Sequence, residues 1–230
     1  STQGVSSAAS DVYKRQVATE DVMAPAYKAI PNILTSLRLA AGIVMFLLLA
    51  GATSGFPFVS AWLSPDDQFA MYRTGFWIFV IAASTDWIDG YLARRWNATT
   101  RWGAILDPIA DKILVTGAVL GVLTSGSVQQ IIIPCGLILF REFAVSALRE
   151  TMAGRINLPV TLAAKWKTTL QMVALGCQLF ARNWDGWGLP FDYLPAFQLF
   201  SDALIWLAAL VTLWTGWQYF SAAQKQMRDL

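Results

Sequence analysis

Runs of roughly 20 apolar residues recur along this chain, and each is long enough to cross a bilayer as a helix. Charged residues make up only 14% of the 230 residues, against about 25% in soluble domains, and no low-complexity stretch accounts for the deficit. The expected fold is therefore all-α, a polytopic membrane protein built as a six-transmembrane-helix bundle. The spans are placed at 31–53, 71–96, 102–124, 128–150, 158–181 and 197–221. Pro31 opens the first span, at a position where a helix tolerates a missing N–H.

The remaining segments are short. Residues 1–16 lack apolar periodicity and read as a non-native or disordered leader, while 17–30 suit a juxtamembrane helix. The six-helix domain is expected over 31–221, with 222–230 as a cytoplasmic tail. FPFVSAWLSPDDQ forms the first loop, and the Trp-, Gly- and Pro-rich RNWDGWGLPFDYLP suits an interfacial connection. Basic residues near the span ends set the orientation. Lys14, Arg15, Lys28, Arg94, Arg95, Arg101, Arg149, Arg155, Lys225 and Arg228 fall on one side, with Arg73 and Arg182 on the other. Both termini are then cytoplasmic.

Composition also excludes several chemistries. There is no histidine, so a His base, a phosphohistidine and a His-bound metal are all ruled out. Cys135 and Cys177 each lie inside an apolar run and read as packing residues. A net charge of +2 is too small to point to nucleic acid.

The second and third spans carry four carboxylates, Asp86, Asp89, Asp107 and Asp111. An Asp at the centre of a membrane helix costs roughly 2.5–3.5 kcal/mol, so the four could cost on the order of 10 kcal/mol. Their spacing suggests what offsets this. Asp86 and Asp89 are i and i+3, Asp107 and Asp111 are i and i+4, and each pair shares one helix face. The short linker WNATTR favours an antiparallel hairpin, so the two pairs face each other near the cytoplasmic boundary. Oxygen-only ligands favour Mg²⁺ or Mn²⁺ over zinc, and four carboxylates suffice for two ions. Gly90, Ala93 and Gly103 permit close helix approach and leave room for a ligand. Arg94 is placed to pair with a phosphate or with one of the carboxylates.

The string Asp86-x2-Asp89-Gly90-x2-Ala93-Arg94-x8-Gly103-x3-Asp107-x3-Asp111 resembles, at every specified position, the motif of the CDP-alcohol phosphatidyltransferases. Members of that family replace the CMP of a CDP-alcohol with a second alcohol. The resemblance implies that Asp86, Asp89 and Asp107 ligate metal, and that Asp111 accepts the acceptor hydroxyl's proton while also contacting metal. It places Gly90, Ala93 and Arg94 along the CDP moiety, and implies a homodimer in the bacterial inner membrane with its active site facing the cytoplasm.

Three further strings, IPNILTSLRLAAG, REFAVSALRE and AAKWKTTLQMVAL, resemble the glycerophosphate-using branch of the family. Asn32 and Thr35 are candidates for the nucleotide, with helix capping and backbone bonding as the competing role. Arg38 is expected to meet a phosphate or an internal acid. Arg141 and Lys165 are candidates for gripping the acceptor's phosphate, since a dianion in a dry site needs fixed cations. Glu142 is expected to hold the Arg141 fork. Lys167 lies two residues from Lys165 and so faces elsewhere on the helix, while Arg149 reads as a solvated loop cation.

The resulting expectation is direct displacement on CDP-diacylglycerol by glycerol 3-phosphate, giving phosphatidylglycerol phosphate and CMP. Inositol phosphate, phosphatidylglycerol or serine would use the same chemistry. An ion or proton transporter also lines its path with intramembrane acids, but no inverted repeat is visible between the halves.

Overall fold

The computed structural model describes residues 30–53, 62–95, 101–126, 129–152 and 162–228. Within the helices, the side chains of 31, 86–95, 101, 102, 104, 162–165 and 228 lie outside the description, as do the expected leader and nearly all of the expected juxtamembrane helix. The described residues form six α-helices and no strand. They are α1 (Ile30–Ala52), α2 (Pro65–Arg95), α3 (Arg101–Thr124), α4 (Ile132–Met152), α5 (Leu162–Arg182) and α6 (Leu194–Arg228). Two 3-10 turns, Asp185–Trp187 and Phe191–Tyr193, link α5 to α6.

α2 begins six residues ahead of the expected second span, and its cap gives the reason. Ser64 Oγ accepts from the Asp67 backbone N–H (3.2 Å), while Asp67 Oδ2 accepts from the Ser64 N–H (3.2 Å) and hydroxyl (2.7 Å). This reciprocal capping box is followed by Pro65 in the first turn, where a missing N–H does no harm. Asp66 and Asp67, expected in a loop, are first-turn acids near the positive end of the helix dipole. The two bonds from Ser64 hold the Asp67 carboxyl below its ordinary value. A depressed carboxylate stabilises the fold above its unfolded pKa and loses that effect as pH falls through the folded one. The start of α2 should therefore loosen only on strong acidification, as amide exchange at 66–68 would register, and Ser64→Ala should bring the loosening to higher pH.

α1 sits between α2 and α3, and α6 lies against both α4 and α5; α5 joins the two groups by touching α2 and α3. Glycines set the closeness of α1 to its neighbours. Gly117 and Gly121, one turn apart on α3, face α1 in the small-xxx-small manner that lets membrane helices approach. A methyl group at 117 would stand 3.2 Å from the Gly42 carbonyl oxygen, and one at 121 only 2.9 Å from Leu49 Cβ. Gly75 of α2 meets the same Leu49, which is fully buried. The Gly42–Gly117 and Leu49–Gly121 contacts run α1 parallel to α3. Gly75 and Gly121 both meet Leu49, while Ala83 and Ser84 line a cavity with Pro108 and Asp111, so α2 and α3 are antiparallel, as expected from WNATTR, whose residues 96–100 lie outside the description. Gly121→Val should cost roughly 1–3 kcal/mol through overpacking, seen as a lowered Tm in detergent.

Met45, Phe79, Leu114, Val119, Ile138, Leu175 and Ile205 fill the interior. Cys135 is buried and both cysteines are free thiols. The outside is equally apolar. Leu37, Ile81, Ile105, Phe140, Trp166 and Leu210, one from each helix, are all more than half exposed. Patches of this extent on every helix are foreign to soluble monomers. Two stretches of the described residues, Asn32–Ala52 and Phe191–Met227, are long and apolar enough by composition alone to cross a membrane.

Candidate active site

The start of α3 carries Asp107 and Asp111, one turn apart and on the same face. Pro108 between them has no N–H to donate to the carbonyl four residues back, and the helix runs through it. α1 runs alongside in matching register. Thr35 Oγ1 donates to Asp107 Oδ1 at 2.6 Å, and Arg38 Nη1 donates to Asp111 Oδ1 at 2.9 Å. Thr35 and Arg38 are i and i+3, so one face of α1 meets both acids. The Arg38 side chain is 1% exposed and that of Asp111 is 44% exposed. The cation is therefore sealed inside the bundle, and the carboxylate it orients looks outward. A buried guanidinium needs such a partner, because an unpaired internal charge is strongly destabilising.

Asp111 faces a cavity of about 1090 Å³ bordered by α2 through α6. Ala83 and Ser84 of α2 are on its wall. Asp86 and Asp89 follow within the next two turns of that helix, their side chains outside the described residues, as are those of Gly90, Ala93 and Arg94. Gly103 is buried at the start of α3. Among the described residues no three carboxylate or thiol groups gather in one place; Asp107 and Asp111 are the described part of the acidic constellation.

The opposite wall is cationic. Arg141 and Lys167 are both buried, and both donate to Glu142 Oε1, Arg141 through Nη1 at 3.4 Å. Arg141 Nη2 also donates to Thr215 Oγ1 at 3.2 Å. About two turns further along α4, Arg149 Nη2 donates to the Tyr219 hydroxyl at 2.8 Å, with the guanidinium carbon 4.9 Å from the centre of that ring. Gln171 Oε1, on the same wall, is buried without a hydrogen-bond partner among the described residues. The cavity thus has Asp111, with Lys112 beside it, on its α3 side, and Arg141, Arg149 and Lys167 on a side built by α4, α5 and α6.

Thr35 and Arg38 both lie with the acids. Arg38 takes the internal-acid alternative of its two expected partners, apart from Arg141. Asn32 lies in the first turn of α1, half-buried. Arg141 is on the cavity wall, held by Glu142 as expected. The Lys165 side chain is outside the described residues. Lys167, which sequence reasoning turned away from the site, lies in the cavity, and Arg149 lines it too rather than sitting on a loop. The signal for Lys167 was its pairing with Glu142, since two opposite charges inside apolar runs each need a partner.

The chain matches the CDP-alcohol phosphatidyltransferase family over residues 28–214. It is 38% identical over 234 aligned positions to the CDP-diacylglycerol–glycerol-3-phosphate 3-phosphatidyltransferase of Cereibacter sphaeroides, an alignment covering 87% of this chain and 98% of that protein. The proteins of the same name from Haemophilus influenzae and Escherichia coli are 41% and 43% identical, each over 155 positions. Those alignments take in 66% of this chain and 78% and 79% of the two relatives. The matched region holds the paired acids, their α1 partners and the basic wall up to α6, and the chain belongs to the CDP-alcohol phosphatidyltransferase family.

Proposed function

We propose that this chain transfers the phosphatidyl group of CDP-diacylglycerol to glycerol 3-phosphate, releasing CMP and phosphatidylglycerol phosphate. The observation that carries the reading is the two-sided cavity. Asp111, one turn from Asp107, stands on one side, able to hold metal under a diphosphate, and paired cations able to hold a second, phosphate-bearing substrate stand on the other. The names of the relatives support the same acceptor.

Asp107 and Asp111 suit a hard divalent cation. They offer only oxygen donors, and each is fixed by a hydrogen bond from α1, as ligating carboxylates are fixed by outer partners. With Asp86 and Asp89 they would hold Mg²⁺ or Mn²⁺, as two ions. Bound metal supplies neutralisation of the diphosphate and of the departing CMP. Asn32, Thr35, Gly90, Ala93 and Arg94 lie along the CDP moiety. Arg141 and Lys167 grip the acceptor phosphate, with Lys165 and Arg38 as further cations of the site. The buried amide oxygen of Gln171 accepts from an acceptor hydroxyl. Asp111 takes the proton of the 1-hydroxyl as its oxygen attacks the β-phosphorus, and the bond to the CMP oxygen breaks.

The exposed apolar faces of all six helices support a six-span bundle in the bacterial inner membrane. The acidic site lies at the end where α3 starts and α4 and α6 finish, which is the end richer in basic residues. That excess supports a site and both termini on the cytoplasmic side, and the resemblance to the family supports a homodimer.

An acceptor panel tests the reading. Detergent-solubilised protein is given radiolabelled CDP-diacylglycerol with Mg²⁺ or Mn²⁺, and glycerol 3-phosphate, inositol phosphate, serine or phosphatidylglycerol in turn. CMP release dependent on glycerol 3-phosphate is expected. Release with another acceptor alone would reassign the substrate, and no release with any would leave the transporter reading ahead.

A further inference from the structure

Glu142 does not hold the basic wall alone: α6, which contributes none of its cations, holds it as well. Arg141 and Arg149 both belong to α4, yet each is fixed from α6. Arg141 Nη2 donates to Thr215 Oγ1, and its side chain lies directly over Gly216, where a methyl group would stand 2.9 Å from Arg141 Cγ and 3.2 Å from Nε. The Arg141 guanidinium carbon is 5.9 Å from the Tyr219 ring centre, and that residue's hydroxyl takes the bond from Arg149. Thr215 and Gly216 are adjacent, with Tyr219 one turn on. Thr215 is fully buried and Tyr219 nearly so. The three make a continuous strip against α4.

The geometry points to the Thr215-Gly216-x2-Tyr219 strip of α6 as the positioning element that sets acceptor specificity. It holds the Arg141 fork at the cavity wall and so determines how an anionic acceptor is gripped. This rests on the proposed phosphate-bearing acceptor. A guanidinium binds phosphate through two directed N–H bonds, so the fork's orientation matters as much as its charge. Glycine at 216 is needed because the long Arg141 side chain crosses α6 at that point. Thr215 then fixes the far nitrogen, while Glu142 takes the near one. None of these three α6 residues need touch the CDP-lipid for this role.

The test is a split between the two substrates' KM values. Thr215→Val keeps the shape and removes the acceptor oxygen; Thr215→Ser keeps the oxygen. Thr215→Val should raise the KM for glycerol 3-phosphate about five- to tenfold, leave the KM for CDP-diacylglycerol within about twofold, and be rescued by Thr215→Ser. Gly216→Ala should raise the acceptor KM at least as far. Should Gly216→Ala fail to fold, the Thr215 pair decides alone. The strip is overturned if Thr215→Val leaves the acceptor KM unchanged, or raises both KM values together. Wild-type protein that releases no CMP with glycerol 3-phosphate overturns the acceptor assignment instead. The strip is then read by the Tm rise that inorganic phosphate produces, which Thr215→Val should diminish and Thr215→Ser preserve. A wild-type Tm that ignores phosphate as well overturns both.

Discussion

Replacing Asp107 with Asn is expected to abolish CMP release, lowering kcat by about a thousandfold or more while the bundle stays folded. The size follows from losing charge neutralisation at the diphosphate, worth several kcal/mol, or a factor of about ten for every 1.4 kcal/mol. The intact fold follows from the local geometry. Asp107 Oδ1 accepts from Thr35, and an Asn amide oxygen accepts the same bond without moving either helix. The substitution therefore removes a ligand charge and leaves the α1–α3 contact in place. An unchanged Tm with lost turnover is the expected pair of results. Substantial transfer in Mg²⁺ or Mn²⁺ would remove Asp107 from the metal site.

The second large effect belongs to Lys167. Lys167→Met should raise the KM for glycerol 3-phosphate between about ten- and a hundredfold, the range expected for one charge-assisted bond in a desolvated site. The KM for CDP-diacylglycerol should change little, because Lys167 stands on the wall away from the acids. Glu142 keeps Arg141 as a partner in the variant, so no buried carboxylate is stranded. Lys165→Met is the companion measurement. Position 165 is roughly 200° around the helix from 167, so a comparable rise in both variants would bring Lys165 into the grip, and a rise in Lys165→Met alone would remove Lys167 from it.

The acids and their pairing were legible because chemistry forces them. Asp107 and Asp111 inside an apolar run need partners, and i, i+4 spacing puts them on one face without knowledge of the fold. Arg38 was legible to the same degree: a buried cation needs an anion or a phosphate, and only tertiary structure chose Asp111. The helix count followed from the lengths of the apolar runs. The start of α2 did not, because Asp66 and Asp67 look like loop acids until Ser64 is seen as their cap. Lys165 was preferred to Lys167 because a two-residue spacing shows that the two side chains face different ways on the helix, and not which of the two faces is turned inward. The α6 strip was hidden for a related reason. Thr215, Gly216 and Tyr219 are ordinary residues of a membrane helix, and their role comes from Arg141 and Arg149 some 70 positions earlier. The Gly117-x3-Gly121 spacing was in plain view and needed only a partner helix to give it meaning.

The bond between Arg38 and Asp111 joins residues 73 positions apart, and its direction along the chain has a consequence for biogenesis. Synthesis runs from the N-terminus, so the helix bearing the lone cation is threaded into the lipid before the helix bearing the acids has left the ribosome. When α3 emerges, its countercharge is already waiting at the depth it must occupy. Asp111 is therefore not released into hydrocarbon without an escort, and α1 serves as the docking post on which α2 and α3 are registered.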